Sequence, residues 1–252
     1  MFIRDMCSSF GRAALFLGRI AGVVLRGRVR WGLVFKEVYA QGVQSLAIVM
    51  LAALASGAVL AMQGQVMMSR FGAKEFIAQL VALSLVRELG PVFTALVFSG
   101  KSGAGMASEL STMTVNSQVL ATRMLGVDPV EFLIVPRFLA CVIALPLLVV
   151  IAEVVGIFGG YIIGVGEAGV PSAFYISQTI SAVGFVDFFT GLLKAVFFSG
   201  LIGWICCYRG FAAAGGSLGV GQATTRAVAA CYISVIVSNT VLTKLVLTFW
   251  GN

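Results

Sequence analysis

Apolar residues in this chain gather into long windows instead of recurring at a helical or strand period. Five windows, at about 43–63, 77–99, 138–165, 185–207 and 227–249, are each long enough to cross the hydrocarbon of a bilayer as a helix, which takes about 20 residues. None alternates apolar and polar positions as barrel strands do. In lipid every backbone polar group must be satisfied within its own segment, so the pattern predicts an all-α integral membrane protein with five transmembrane helices.

The first 40 residues differ. Arg12, Arg19 and Arg26 recur at a fixed interval and mark one helical face, while Phe10, Leu17 and Val24 mark another. This predicts an N-terminal amphipathic helix lying in the membrane interface, with arginines toward the headgroups. The same arginines interrupt any apolar core of a secretory signal. Residues 1–40 are thus set apart from a spanning domain at 41–252.

Composition agrees with lipid as the main solvent. Of 252 residues 60% are hydrophobic and 11% charged, whereas soluble domains run to roughly half apolar and a quarter charged. The net charge of +7 is distributed as the positive-inside rule requires. Arg4, Arg12, Arg19, Arg26, Arg28, Arg30 and Lys36 precede the first window, Lys101, Arg123 and Arg137 follow the second, and Arg209 and Arg226 follow the fourth. The opposite side holds Arg70 and Lys74. These positions predict a cytoplasmic N-terminus and a C-terminus on the far side. No basic stripe carries interleaved aromatics, so nucleic acid is not expected as a partner. Histidine is absent, which removes imidazole dyads and an intramembrane Ser–His protease. The cysteines (Cys7, Cys141, Cys206, Cys207 and Cys231) show no ligand spacing and read as small core hydrophobes, so neither a metal site nor a catalytic residue is expected.

Arg87 and Glu88 in the second window, Glu153 in the third and Lys194 in the fourth are ionisable groups at membrane depth. Such groups are costly in hydrocarbon and usually face a bundle interior or water. At the helical rise of 1.5 Å per residue all should lie roughly 13–18 Å from the outer surface, in one layer. Two readings stand side by side: a neutral network that pins helix register, or a polar chamber for an amphiphile with an anionic headgroup. Gly90 and Pro91 follow directly, and a proline inside a helix removes a hydrogen bond, so the pair predicts a kink and hinge.

Between the second and third windows, Val115, Val119 and Met124 suggest the apolar face of a short helix, with Gly126 as its stop and Pro129 just beyond. Such a helix could dock in a groove of a soluble partner. Ala95 to Ser102 approximates a phosphate-binding loop, but it ends an apolar window and alanine replaces the first glycine. No nucleotide site is expected.

The run Arg87-Glu88-Leu89-Gly90-Pro91, then Gly100 to Met113, Gly126-Val127-Asp128-Pro129 and Pro136-Arg137, resembles the MlaE (YrbE) permeases of ABC-type lipid transporters. Pro146-Leu147, Gly159-Gly160 and Ala223-Thr224-Thr225-Arg226 fit as well. Lys101 and Ser111 depart from it, standing where arginine and glycine are usual. The resemblance implies a homodimeric, multi-pass permease of the inner membrane with a periplasmic C-terminus. Its implied partners are ABC ATPase subunits that bind ATP and Mg, a periplasmic MCE-domain lipid carrier and, in some systems, a STAS-domain protein. No cofactor is implied in this chain itself. The implied substrate is a phospholipid, held in a cavity between two copies by Arg87, Glu88 and Lys194, with Glu153 beside them. A coupling helix at about Thr112 to Asp128 is implied, making Glu109, Thr112, Gln118, Arg123, Gly126 and Asp128 the candidate contacts to the ATPase. The alternative is a proton-coupled carrier or channel using Glu88 and Glu153.

Overall fold

The computed structural model describes residues 2–27 and 29–250, with side chains described for 11–27 and 29–248. Arg28 and the side chains of Arg4, Cys7 and Phe10, invoked above, lie outside the described residues. Every regular element described is helical: α1 (Phe2–Leu25), α2 (Trp31–Arg70), α3 (Lys74–Val115), α4 (Gln118–Met124), α5 (Val130–Gly166), α6 (Ser172–Ala182), α7 (Phe185–Phe211) and α8 (Gly216–Trp250). Helices α2, α3, α5, α7 and α8 are the five long and apolar enough to span a membrane.

The spans are longer than the apolar windows. Helix α2 begins at Trp31, inside the segment assigned to the N-terminal region, and α8 begins at Gly216. Helix α3 runs past residue 99 to Val115, so the first part of the expected loop is helix. Hydropathy registers the part of a helix that lies in oil, whereas the hydrogen-bond ladder continues into water wherever no breaker intervenes. The ladder widens to π-helical turns at Tyr39–Val43, Leu85–Leu89, Ser99–Gly103 and Val130–Ile134. Positive-φ glycines follow the ends of three helices: Gly27 at φ +67° after α1, Gly72 at φ +67° after α2 and Gly126 at φ +75° after α4. After α4, Val127 N–H donates to Thr122 O at 3.2 Å and Gly126 N–H to Arg123 O at 3.0 Å, the paired bonds of a Schellman stop.

The chain divides into two compact units. The first comprises residues 1–42, 99–143 and 200–233. Its core joins Phe16 and Ile20 of α1 with Leu110, Val130, Ile134, Val135 and Cys207, and Trp204 Nε1 donates to Ala13 O at 2.9 Å. Helix α1 therefore packs through a Phe16–Ile20–Val23 stripe, at i, i+4 and i+7. Of the expected Phe10–Leu17–Val24 face, Val24 does pack against this core, whereas Leu17 is exposed, because in a 3.6-residue helix Ile20, four residues on, shares Phe16's face and the residue after Phe16 does not. Arg12, Arg19 and Arg26 are all exposed.

The second unit comprises residues 43–98, 144–199 and 234–252. Ile77, Ala78, Val81 and Leu85 of α3 pack with Ala61, Ala168, Val170 and Tyr175. In the same unit α2 and α5 meet backbone to backbone: a Cβ on Gly57 would stand 1.8 Å from the Gly156 carbonyl oxygen. Small residues allow such close approach between membrane helices.

Candidate functional site

Glu88, Glu153 and Lys194 of the second unit gather around a break in α3. Leu85–Leu89 is π-helical, with Gly90 N–H bonding Leu85 O. Pro91 has no N–H to return to the carbonyl of Arg87, four residues back. Helix α7 supplies what is missing: Lys194 Nζ donates to Arg87 O at 3.0 Å. Gly191, one turn earlier, lets α7 come close, since a Cβ there would stand 2.5 Å from Val86 O.

Lys194 is also ion-paired. Its Nζ lies 2.7 Å from Glu88 Oε1 and 2.9 Å from Thr243 Oγ1. Thr243 in turn donates to the Glu88 carboxylate, its Oγ1 lying 2.9 and 3.0 Å from the two oxygens. Asn239 Nδ2, four residues earlier on α8, donates to Glu88 Oε2 at 3.1 Å. The lysine side chain is 4% exposed and the glutamate 36%. The buried cation thus has three acceptors for its three protons, the arrangement that makes a charge tolerable away from water. Asn239 Oδ1 is buried with no hydrogen-bond partner.

Arg87 points elsewhere. Its Nε pairs with Asp187 Oδ1 at 2.6 Å, and the side chain is 53% exposed. Among the described residues no hydrogen bond occupies its terminal nitrogens, which remain able to grip a planar or tetrahedral oxyanion. Glu153 is 4% exposed and rests in the notch made by two glycines: a Cβ on Gly90 would stand 2.9 Å from its Cγ, and one on Gly191 3.5 Å from its Oε1.

Of the residues that the sequence singles out, Glu88 and Lys194 are in contact, Glu153 packs against Gly90 and Gly191, and Arg87 departs from the cluster toward Asp187. The structure adds Asp187, Asn239 and Thr243, none of which stands out in the sequence by charge at mid-span. Asp187 sits near the start of α7 and reads as a span terminus, although it lies two turns before Lys194. The Asn239–Thr243 pair, at i and i+4 on one face, is a polar stripe that the fifth window does display. The small cleft beside the break, lined by Leu85, Leu89, Gly90 and Phe93, has a volume of about 10 Å³. An open groove of about 600 Å³ lies against Met62, Val66, Met67 and Arg70 on the last turns of α2 and Phe71 just beyond.

The candidate coupling residues lie in the first unit. Glu109 is on α3, its carboxylate 3.2 Å from Arg137 Nη2. Thr112 Oγ1 donates to Ser108 O at 2.9 Å. Gln118 opens α4 after Ser117, which takes φ +59°. Arg123, Gly126 and Asp128 line an open cavity of about 510 Å³ with Arg19, and Asp128 Oδ1 accepts the Val130 N–H at 3.0 Å. The expected apolar face of this segment is divided. Val119 is buried, whereas Leu120, Met124 and Leu125 are exposed. The approximate phosphate loop at Ala95–Ser102 lies within continuous helix α3, without the strand and glycine cradle that bind a nucleotide.

Comparison with known proteins places this architecture. The family described as Permease MlaE matches residues 34–245. The intermembrane phospholipid transport system permease protein MlaE of Haemophilus influenzae is 38% identical over 96% of this chain and 93% of its own length. A probable ABC transporter permease protein of Rickettsia typhi is 38% identical over 94% and 92%. The chloroplastic protein TRIGALACTOSYLDIACYLGLYCEROL 1 of Arabidopsis thaliana is 29% identical over 91% of this chain and 66% of its own. With five membrane-length helices and a family match that covers most of its residues, the chain belongs to the MlaE permease family.

Proposed function

We propose that this chain is the membrane permease of an ATP-driven transporter that moves phospholipid between the inner membrane and the cell envelope. The observation that carries the reading is the likeness, over nearly its whole length, to a relative named as an intermembrane phospholipid transport permease. Relatives named as ABC transporter permeases support assigning ATP and Mg to separate ABC ATPase subunits. Two copies of the chain enclose the lipid, with N-termini in the cytoplasm and C-termini in the periplasm, where an MCE-domain protein receives or delivers it. A STAS-domain regulator is a further candidate partner.

Within that scheme Arg87 is the headgroup residue, because its side chain is half exposed and no hydrogen bond occupies its terminal nitrogens among the described residues. Lys194, Glu88, Asn239 and Thr243 supply the hydrogen bonds that the break in α3 leaves unmade. Glu153, against Gly90 and Gly191, fixes the approach of α7, and Gly90–Pro91 is the hinge. The α3–α5 connection, from Glu109 through Asp128, meets the ATPase, with Leu120 and Met124 entering its groove.

The test is reconstitution of the permease with its ATPase in vesicles that contain fluorescent phosphatidylethanolamine. ATP-dependent lipid movement that persists after the proton gradient is collapsed is the expected result. Movement driven by a pH gradient without ATP defeats this reading and favours a carrier built on Glu88 and Glu153.

A further inference from the structure

The first unit contains a second buried polar network, centred on Arg137 of α5. This arginine is 6% exposed and touches three segments. Its Nη2 donates to Glu109 Oε2 of α3 at 3.2 Å, its Nη1 to Leu133 O of its own helix at 2.9 Å, and its Nε lies 3.4 Å from Glu37 Oε1 of α2. Gln41 of α2 donates through Nε2 to Glu37 Oε2 at 3.2 Å and to Arg137 O at 3.5 Å. Its Oε1 accepts from Cys141 Sγ at 3.2 Å, and its carbonyl accepts from Ser102 Oγ of α3 at 2.7 Å.

Two features separate this network from an ordinary ion pair. First, each helix it joins carries a π-helical turn at the junction: Gln41 lies in Tyr39–Val43, Ser102 in Ser99–Gly103 and Leu133 in Val130–Ile134. Such turns loosen the ladder and allow a helix to shift register locally. Second, the Arg137–Glu37 fork is open. Arg137 Nε is buried without a hydrogen-bond partner although the carboxylate is in ion-pair range, while Gln41 holds that carboxylate by its other oxygen. An arginine–carboxylate pair selected for stability alone would close the fork, since a buried unsatisfied donor is costly. A small shift of α2 toward α5 would close it.

We infer that Arg137 is a positioning residue that relays movement between helices: it ties Glu109, near the end of α3, to Glu37 of α2, and the Glu37 contact alternates between the open arrangement and a closed fork during transport. A push on the α3–α4 corner then reaches α2 through one guanidinium. This rests on the ATP-driven reading above.

The test compares Arg137→Lys, which keeps the charge and loses the fork, and Glu37→Gln, which keeps the shape and weakens the attraction. Both are assembled with the ATPase in vesicles containing fluorescent phosphatidylethanolamine. The expected result is an intact complex that hydrolyses ATP close to the parent rate but moves roughly tenfold less lipid per ATP, the scale of an ordinary coupling free energy. An unchanged lipid-to-ATP ratio in both variants overturns the relay. So does a parallel fall in hydrolysis and transport, which marks a merely structural contact. If Arg137→Lys fails to assemble, Glu37→Gln alone decides by the same ratio. A parent complex that moves no lipid with ATP overturns the transport reading itself, a result separable from any difference between variants.

Discussion

Lys194 Nζ lies 3.0 Å from the carbonyl oxygen of Arg87, the acceptor that Pro91 leaves without its helical donor. The lysine thereby substitutes for a missing backbone N–H while pairing with Glu88 at 2.7 Å. A charge that is costly in hydrocarbon thus closes a gap that the proline opens in a neighbouring helix. Glu88, Thr243 and Asn239 complete the arrangement around the ammonium.

Removing that ammonium should therefore cost more than removing the pair. Lys194→Met leaves Glu88 without its counter-ion and the Arg87 carbonyl without its donor; breaking one side of a fully buried pair costs about 3–5 kcal/mol, and this part-buried one should cost the lower end of that. The double variant Lys194→Met/Glu88→Gln removes both charges and should recover about 1–3 kcal/mol of that loss. Thermal unfolding in detergent of both single variants and the double variant measures the coupling. Equal destabilisation of the double and the sum of the singles would show that the contact is inert.

Arg87 behaves differently because half of its side chain is exposed. Its pair with Asp187 should contribute under about 1 kcal/mol to stability, as exposed ion pairs do. Arg87→Ala is expected to fold normally and to retain several-fold less phospholipid through purification, read by mass spectrometry. Asp187→Asn removes the charge that attracts the guanidinium and should retain more. Unchanged lipid in both variants would remove Arg87 from the headgroup role.

The break in α3 is legible in the sequence, and its consequences are not. Gly90-Pro91 predicts a lost hydrogen bond, and Arg87, Glu88 and Lys194 stand out by charge. Which partner each takes depends on rotation about helix axes, and a uniformly apolar window carries little periodicity to fix that rotation. Helices α2 and α3 outrun their windows for a related reason, since hydropathy registers oil and not hydrogen bonding. The opposite holds for Gly126: a glycine before Val127-Asp128-Pro129 predicts a stop from backbone chemistry alone, and the Schellman pair is there. Asn239 and Thr243 are hard to pick out because neutral polar residues are ordinary in membrane helices, and only their i, i+4 spacing sets them apart.

Helix α4 offers a separate test of the coupling surface. Met124 is 82% exposed and Leu120 lies one turn earlier, so Leu120→Asp/Met124→Asp should leave the permease fold within about 0.5 kcal/mol, as exposed substitutions do. Loss of the co-purifying ATPase is the expected outcome in a pull-down from membranes. A variant that retains its ATPase places the docking surface elsewhere.

The close approach of α2 and α5 separates packing from helix propensity. A methyl on Gly57 would stand 1.8 Å from the Gly156 carbonyl oxygen, a backbone atom that cannot turn aside. Gly57→Ala must push the helices apart, and forced overpacking costs about 1–3 kcal/mol or more. At Gly22 of α1 a methyl would meet nothing within 4 Å, so Gly22→Ala changes helix propensity alone and should stabilise by about 0.5–1 kcal/mol. Opposite signs in detergent melting, with the Gly57 variant lower and the Gly22 variant higher than the parent, are the expected result. A Gly57→Ala protein as stable as the parent would show that α2 and α5 do not meet at this glycine.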